Sequence, residues 1–403
     1  MVIKWERELW FILQDNVKLL YYGINLGPPW VEGLRNTVRN LGRRLSNEGV
    51  EVTVLTKGSF GSQIIEGMRY IGLPIGGDTY AANAPATMVA IAAWLSRHSK
   101  EFDVIHGHSS FPLIATPALF SRRTSLFTQY SPLAVNEEFL SEASIFQKAL
   151  FKFSKSTLPV LLSAPKVRFI AISARVAKSF PRILSRRVTQ IPVGVDFTKF
   201  SRRIDTGYLR EELEVNDEKV VLFAGDVTPW KGGEDFLSAA KLVLDAEPKT
   251  VFLFLTKNTY EYEKRRVGQL TSLAASLGIQ RSVRFLSRRP DIDAVYALAD
   301  VVALPYRSMF SFMSTPLSLL EAMAAGKPVV ATEAGDMADI VSGARCGFLT
   351  KPFDYKGLAK RTLELLRDSA LSKALGENAA RYAQRLDWSN ICRAYLETYR
   401  KMV

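Results

Sequence analysis

Residues 310–332 read FSFMSTPLSLLEAMAAGKPVVAT. Thr315 is placed to cap a helix that opens on Pro316, where a missing N–H breaks no bond. The helix continues through LSLLEAMAA, stops at Gly326, and Pro328 bars its extension. The strand PVVAT follows at once. A helix leading directly into an apolar, β-branched strand is the repeating unit of a parallel sheet with helices packed on its faces.

The same unit recurs in both directions. Short apolar runs read as strands at 17–24 (VKLLYYGI), 50–56 (VEVTVLT), 103–108 (DVIHGH), 125–130 (SLFTQY) and 167–173 (VRFIAIS). A second series stands at 219–226 (KVVLFAGD), 250–257 (TVFLFLTK), 282–288 (SVRFLSR), 300–306 (DVVALPY) and 328–333 (PVVATE). Helical patterns separate the strands, which makes the chain α/β, with two doubly wound Rossmann-like sheets. At 403 residues it exceeds what one core organises. Residues 1–195 form the first expected domain, the acidic polar stretch 196–217 a linker, and 218–385 the second domain.

Only Cys346 and Cys392 occur, which suits a reducing cytosol and rules out a disulfide framework. Three histidines leave little from which to build a zinc site. The start, MVIKWERELWFILQDN, has no secretory pattern and reads as a short surface helix or an extension before the first strand. No apolar run is long enough to span a bilayer. The net charge of +13 lies mostly in the first half, where residues 1–200 hold 24 basic and 14 acidic residues. Between Glu142 and Asp196 there is no acid, but there are ten bases, Lys148, Lys152, Lys155 and Arg187 among them. Such a face suits an anionic membrane surface or phosphorylated ligands; a solvated basic face is the plainer alternative. No motif for nucleic acid accompanies it.

Each half opens alike, with YYGINLGPPWVEG after one first strand and LFAGDVTPWKGG after the other. A glycine at the strand end, Gly225 in the second half, lets backbone approach a ligand, and the helix start beyond favours anions. Neither loop is a dinucleotide fingerprint or a Walker loop. In the opening segment the first-turn amides should face the carboxyl ends of the strands, placing a diphosphate against Ser314, Thr315 and Leu317. Glu321 then has two readings. It belongs to a narrow exposed stripe with Ser318 and Ala325, or it accepts the two hydroxyls of a ribose. Lys231 in TPWKGG is either a solvated loop lysine or a charge on the diphosphate. Periodicity does not choose between them.

These segments in this order resemble the glycosyltransferases called group 1 or family 4, of GT-B fold. The likeness spans nearly the whole chain: GLRNTVRNLGRRLSNEGVEVTVLT, DVIHGH, FIAISARVAKSF, IPVGVDFTKF, VVLFAGDVTPWKGGEDFLSAA, ALADVVALPY, LLEAMAAGKPVVATEAGDMADIV and DWSNICRAYLETYR. It implies a retaining transferase of the hexosyltransferase class, acting from a UDP- or GDP-sugar on an acceptor hydroxyl, with neither cofactor nor metal. In that role Glu321 holds the ribose, Lys231 the diphosphate, Gly33 lies at the interdomain site, and residues 386–403 cross back to the first domain. The basic first half suits a lipid-linked or cell-surface glycan as acceptor, with the protein cytoplasmic and held peripherally on an anionic membrane.

Three positions depart from the family pattern. The first of its paired glutamates, a donor-sugar contact, is expected where this chain has Met313. Asp226 stands where an arginine is common, and Tyr130 where a histidine commonly ends the strand; a tyrosine there is the residual catalytic candidate beside Lys231 and Glu321. His106 and His108 are further strand-end candidates, with His108 assigned to the acceptor side. The alternative these departures raise is a non-catalytic binder or assembly subunit on the same fold. The pair Asp291 and Asp293 looks like a metal motif but sits in a helix-capping context.

Overall fold

The computed structural model describes residues 17–30, 32–75, 83–133, 164, 166–257, 260–309 and 313–403. The N-terminal stretch read as a helix or extension, and Lys148, Lys152 and Lys155, lie outside them. Two compact units form. The first takes the described residues up to Val193 with Met313, Ser314 and Trp388–Val403; the second takes Gly194–Met309 and Thr315–Asp387. Residues 196–217 carry the helices Phe197–Ser201 and Gly207–Glu212 and count with the second unit.

In the first unit eight strands make one sheet: β1 (Lys18–Tyr22), β2 (Glu51–Lys57), β3 (Ser62–Ile65), β4 (Met68–Leu73), β5 (Val104–Ser109), β6 (Ser125–Gln129), β7 (Val167–Ala171) and β8 (Val188–Gln190). Their order is β3-β4-β2-β1-β5-β6-β7-β8, parallel except for the β3–β4 hairpin. The chain winds outward from β1 on one side and from β5 on the other. The carboxyl ends of β1 and β5 therefore flank the switch point, where doubly wound sheets bind ligands. β1 is central, so Leu19, Leu20, Tyr21 and Tyr22 are all fully buried.

The helix Gly33–Asn47 buries Val38, Leu41 and Leu45 against this sheet. The helix Trp388–Arg400 buries Trp388, Ile391, Cys392, Tyr395, Leu396 and Tyr399, an i, i+3, i+4, i+7 stripe, and joins the same core. Each large apolar side chain so buried contributes about 1.5–3 kcal/mol.

The β3–β4 hairpin, β8 and the strand Gly347–Thr350 of the second unit are not among the runs read as strands from the sequence. The hairpin turns on Glu66 and Gly67, both with positive φ (51° and 79°). A glutamate there hides the Asn-Gly or Asp-Gly signal that marks such turns.

The second unit holds β9 (Lys219–Ala224), β10 (Thr250–Leu255), β11 (Val283–Leu286), β12 (Val301–Leu304), β13 (Val329–Thr332) and β14 (Gly347–Thr350). All are parallel, in the order β11-β10-β9-β12-β13-β14, so the switch point lies beyond β9 and β12. Phe223, Phe236, Phe252 and Phe254 interlock beneath it at centroid distances of 4.8–5.5 Å. Among the described residues, no helix is long and apolar enough to cross a membrane.

Candidate functional site

At the second unit's switch point β9 ends in Ala224 and passes into Gly225. A Cβ on Gly225 would stand 2.7 Å from the Tyr306 hydroxyl, so the strand end packs directly on that ring. In the following loop Asp226 turns back on itself, accepting from the Thr228 amide at 3.0 Å and its hydroxyl at 2.5 Å. Lys231 closes a single 3-10 turn, and Gly232 leaves it at φ +69°. A Cβ on Gly232 would come within 2.0 Å of the Pro305 carbonyl, so only glycine fits. Arg307 pins this loop from the end of β12. Its amide donates to Trp230 O at 2.7 Å, and its guanidinium donates to Pro229 O at 3.2 Å and to both Asp235 oxygens at 2.7 and 2.9 Å.

The loop holds Lys231 inward, 6% exposed. Its ammonium lies 3.8 Å from the Tyr306 ring centroid and 3.7 Å from Met309 Sδ. Burial lowers its pKa to about 8, against the pull of Asp226 and with the push of Lys257. It stays charged at neutral pH. The solvated-lysine reading therefore does not describe it.

The helix after β12 begins later than expected. Pro316 has ψ 130° and lies outside the helix, which runs Leu317–Ala324. Thr315 does not cap it; the hydroxyl instead donates to the buried carboxylate of Asp336 at 2.6 Å. The first-turn amides from Leu317 onward have no carbonyl within the helix to bond. Gly326, at φ +67°, ends the helix as read, with its amide returning to Met323 O.

On this helix Leu319, Leu320, Ala322, Met323 and Ala324 are buried, while Ser318, Glu321 and Ala325 form a half-buried stripe. Two tyrosines reach that stripe. Tyr296 donates to Glu321 Oε2 at 2.9 Å. Tyr306 donates to Ala224 O at 2.5 Å and so accepts from Ser318 Oγ at 2.8 Å. Burial raises the Glu321 carboxyl above its usual range, opposed by Tyr296 and then by Lys199. Its other oxygen has no protein partner among the described residues. Gly225, Lys231 and the Glu321 helix thus converge on one side chain, Tyr306.

In the first unit the strand ends carry a buried polar chain. His106 bonds Tyr399 through Nδ1 and Thr128 through Nε2, both at 2.7 Å, and Tyr399 meets the Tyr21 hydroxyl at 3.2 Å. Gly107, between the histidines, has no room for a side chain: a Cβ would lie 2.4 Å from the Tyr22 ring. His108 Nδ1 meets the Tyr130 hydroxyl at 3.0 Å. Burial keeps both imidazoles neutral, His108 down at about 3, and pushes the Tyr130 hydroxyl well up.

The Ser314 amide is already taken by Tyr130 O at 2.7 Å, so its hydroxyl is the donor this residue has left for a ligand. That hydroxyl and His108 Nε2 are buried and have no hydrogen-bond partner among the described residues. Met313 packs its sulfur 3.8 Å from Thr37 Oγ1, which donates to Gly33 O at 2.9 Å.

Asp291 and Asp293 hold arginines. Asp291 binds Arg289 at 2.8 and 2.9 Å, and Asp293 binds Arg202 at 2.5 Å. Among the described residues no group of three or more His, Cys, Asp or Glu side chains could hold a metal ion. Sequence reading missed Tyr296, Tyr306 and Asp336. The first two had a visible signal, a tyrosine inside or just after an apolar run (DAVYALAD, VVALPY), but their partners are remote in sequence.

Comparison with known proteins gives the lineage. Residues 207–382 match the family described as Glycosyl transferases group 1, and residues 31–199 match Glycosyltransferase Family 4. A D-inositol 3-phosphate glycosyltransferase of Corynebacterium urealyticum is 26% identical over 390 residues, covering 92% of this chain and 91% of that protein. Sucrose-phosphate synthase from Thermosynechococcus elongatus superposes with a TM-score of 0.78 at 22% identity, over 96% of this chain and 98% of that one. Anabaena HepE, solved in complex with UDP and glucose, superposes with a TM-score of 0.73 at 20% identity, over 96% and 100% of the two chains. With two parallel-sheet units in tandem, each matched by its own family description, the chain belongs to the GT-B glycosyltransferases of family 4.

Proposed function

We propose that this glycosyltransferase moves a sugar from a nucleoside-diphosphate donor to an acceptor hydroxyl, with retention at the anomeric carbon. The observation that carries the reading is the pairing of a buried ammonium with a half-buried carboxylate around Tyr306, the carboxylate on the helix that starts at Leu317. A vicinal ribose diol supplies two donors to Glu321, where burial penalises an unsatisfied oxygen. A diphosphate supplies the anion that Lys231 and the Leu317 amides are arranged to receive. As the anomeric bond to the leaving diphosphate breaks, charge builds on its oxygens, and a fixed ammonium in a dry site stabilises it. The acceptor hydroxyl oxygen bonds to the anomeric carbon, its proton passes to the departing diphosphate, and the rest is orientation of donor and acceptor. Gly225 gives the backbone close approach, and Thr315 lines the helix start.

The basic composition of residues 1–200 supports an acceptor that carries phosphate, a phosphorylated polyol or a lipid-linked glycan. The relative named for D-inositol 3-phosphate favours the polyol. Assay against UDP- and GDP-sugars with inositol phosphate and polyprenyl-phosphate acceptors, reading the product anomer by NMR, tests this. Glu321→Ala and Lys231→Ala should each abolish transfer; full turnover in both would remove the site.

A second reading keeps binding without chemistry. It draws on Met313, which offers a thioether where the family's sugar-contacting carboxylate is expected, and on Asp226 and Tyr130. Nucleotide binding with no turnover across the panel, and activity gained in Met313→Glu, would favour it. Peripheral membrane contact is tested by pelleting with phosphatidylglycerol vesicles, which should fall as salt rises. Equal pelleting with phosphatidylcholine would remove it.

A further inference from the structure

Tyr306 contacts the Lys231 ammonium, the strand end before Gly225 and the helix that carries Glu321. Its carbonyl accepts from Thr332 Oγ1 at the end of β13, which holds its backbone between two adjacent strand ends. Its hydroxyl donates to Ala224 O, the residue before Gly225, and accepts from Ser318, one helical turn before Glu321. Its ring face lies under the Lys231 ammonium at 3.8 Å. We infer that Tyr306 is a positioning residue for the donor, its ring seating the Lys231 ammonium and its hydroxyl fixing the glycine turn against the Glu321 helix.

The chemistry of the contact favours this assignment. An aromatic face attracts the ammonium through its quadrupole and leaves its charge intact. The hydroxyl adds a second function, since it spans the strand end and the helix with two hydrogen bonds from one rigid group. A single side chain thereby links the proposed diphosphate contact to the helix that carries the proposed ribose contact.

The inference rests on the reading of Lys231 and Glu321 as donor contacts, and a double-mutant cycle separates the two claims. UDP and GDP binding are measured by calorimetry for wild type, Tyr306→Leu, Tyr306→Phe, Lys231→Met and the Tyr306→Leu/Lys231→Met double variant. Tyr306→Leu should weaken the bound nucleotide about thirtyfold, about tenfold through the desolvated cation–ring contact and about threefold through the hydroxyl. In the Lys231→Met background the same change should cost only about threefold, the hydroxyl-linked part, because the ring then has nothing to seat.

Tyr306→Phe keeps the ring and should retain the Lys231-dependent part while losing about threefold through its hydroxyl. If Tyr306→Leu does not fold, Tyr306→Phe in the two lysine backgrounds gives the comparison. Its hydroxyl-linked loss should persist in Lys231→Met, and disappearance of that loss would overturn the second function. Equal losses for Tyr306→Leu with and without the lysine would mark a purely structural tyrosine and overturn the inference, leaving the donor reading standing. Unchanged nucleotide affinity in Lys231→Met, or no binding by wild type, would remove the donor reading and this inference with it.

Discussion

Replacing Lys231 by methionine should make the ligand-free protein more stable while it removes the grip on nucleotide. Burial holds the lysine at about 8 against an ordinary 10.5. At 1.36 kcal/mol per pH step that gap corresponds to about 3 kcal/mol, the cost of keeping the ammonium charged inside the fold. Below pH 8 both folded and unfolded chains carry the proton, so the whole cost is present at pH 7. Between pH 8 and 10.5 the unfolded chain binds the proton and the folded chain does not, so wild-type stability rises with pH. Above 10.5 the cost is gone.

Methionine has similar length and no charge, so Lys231→Met should gain about 2–3 kcal/mol at pH 7 after loss of the ring contact. The gain should shrink toward zero by pH 10.5. Guanidinium unfolding of both proteins from pH 6.5 to 10.5, taken as a difference, cancels the tyrosines that titrate in the same range. A variant less stable than wild type at pH 7, or a difference that stays flat with pH, would refute the reasoning. In parallel, wild-type affinity for UDP should fall about tenfold per pH step above 8, with proton uptake on binding.

Tyr296→Phe removes the single hydroxyl held by Glu321 and should weaken UDP about tenfold in calorimetry, the size of a hydrogen bond to a charged group. Gly232→Ala forces a Cβ to 2.0 Å from Pro305 O at a positive φ, so the thermal midpoint should fall by several degrees and transfer should be lost. Tyr399→Phe leaves His106 Nδ1 buried without its 2.7 Å partner. It should destabilise by about 1–3 kcal/mol in denaturant titration while leaving UDP affinity unchanged.

The strand runs in both halves were legible because each is a continuous apolar stretch in a sheet covered on both faces. The hairpin was not, because its turn uses Glu66 where glycine or asparagine would have announced it. One of the two readings of Glu321 puts it in an exposed stripe with Ser318 and Ala325, and all three are half-buried. What covers it was invisible, since Tyr296 and Tyr306 arrive from other elements and side-chain period says nothing of tertiary partners. The cap failed for a similar reason. Thr315 satisfies the local rule for an N-cap, but Asp336, buried and 21 residues on, takes its hydroxyl. Local propensity locates elements; the charges that make a site are chosen by contacts across the fold.

The helix Trp388–Arg400 completes the core that begins with β1, placing Tyr399 against Tyr21 and His106. The residues of β1 therefore wait for a helix far along the chain, 378 positions on from Tyr21 to Tyr399, before their hydrophobic interior is closed. During synthesis the second unit has all its strands in hand while the first still lacks one wall. A chain halted near residue 387 would present the β1 and β5 tyrosine and histidine side chains to whatever chaperone meets it.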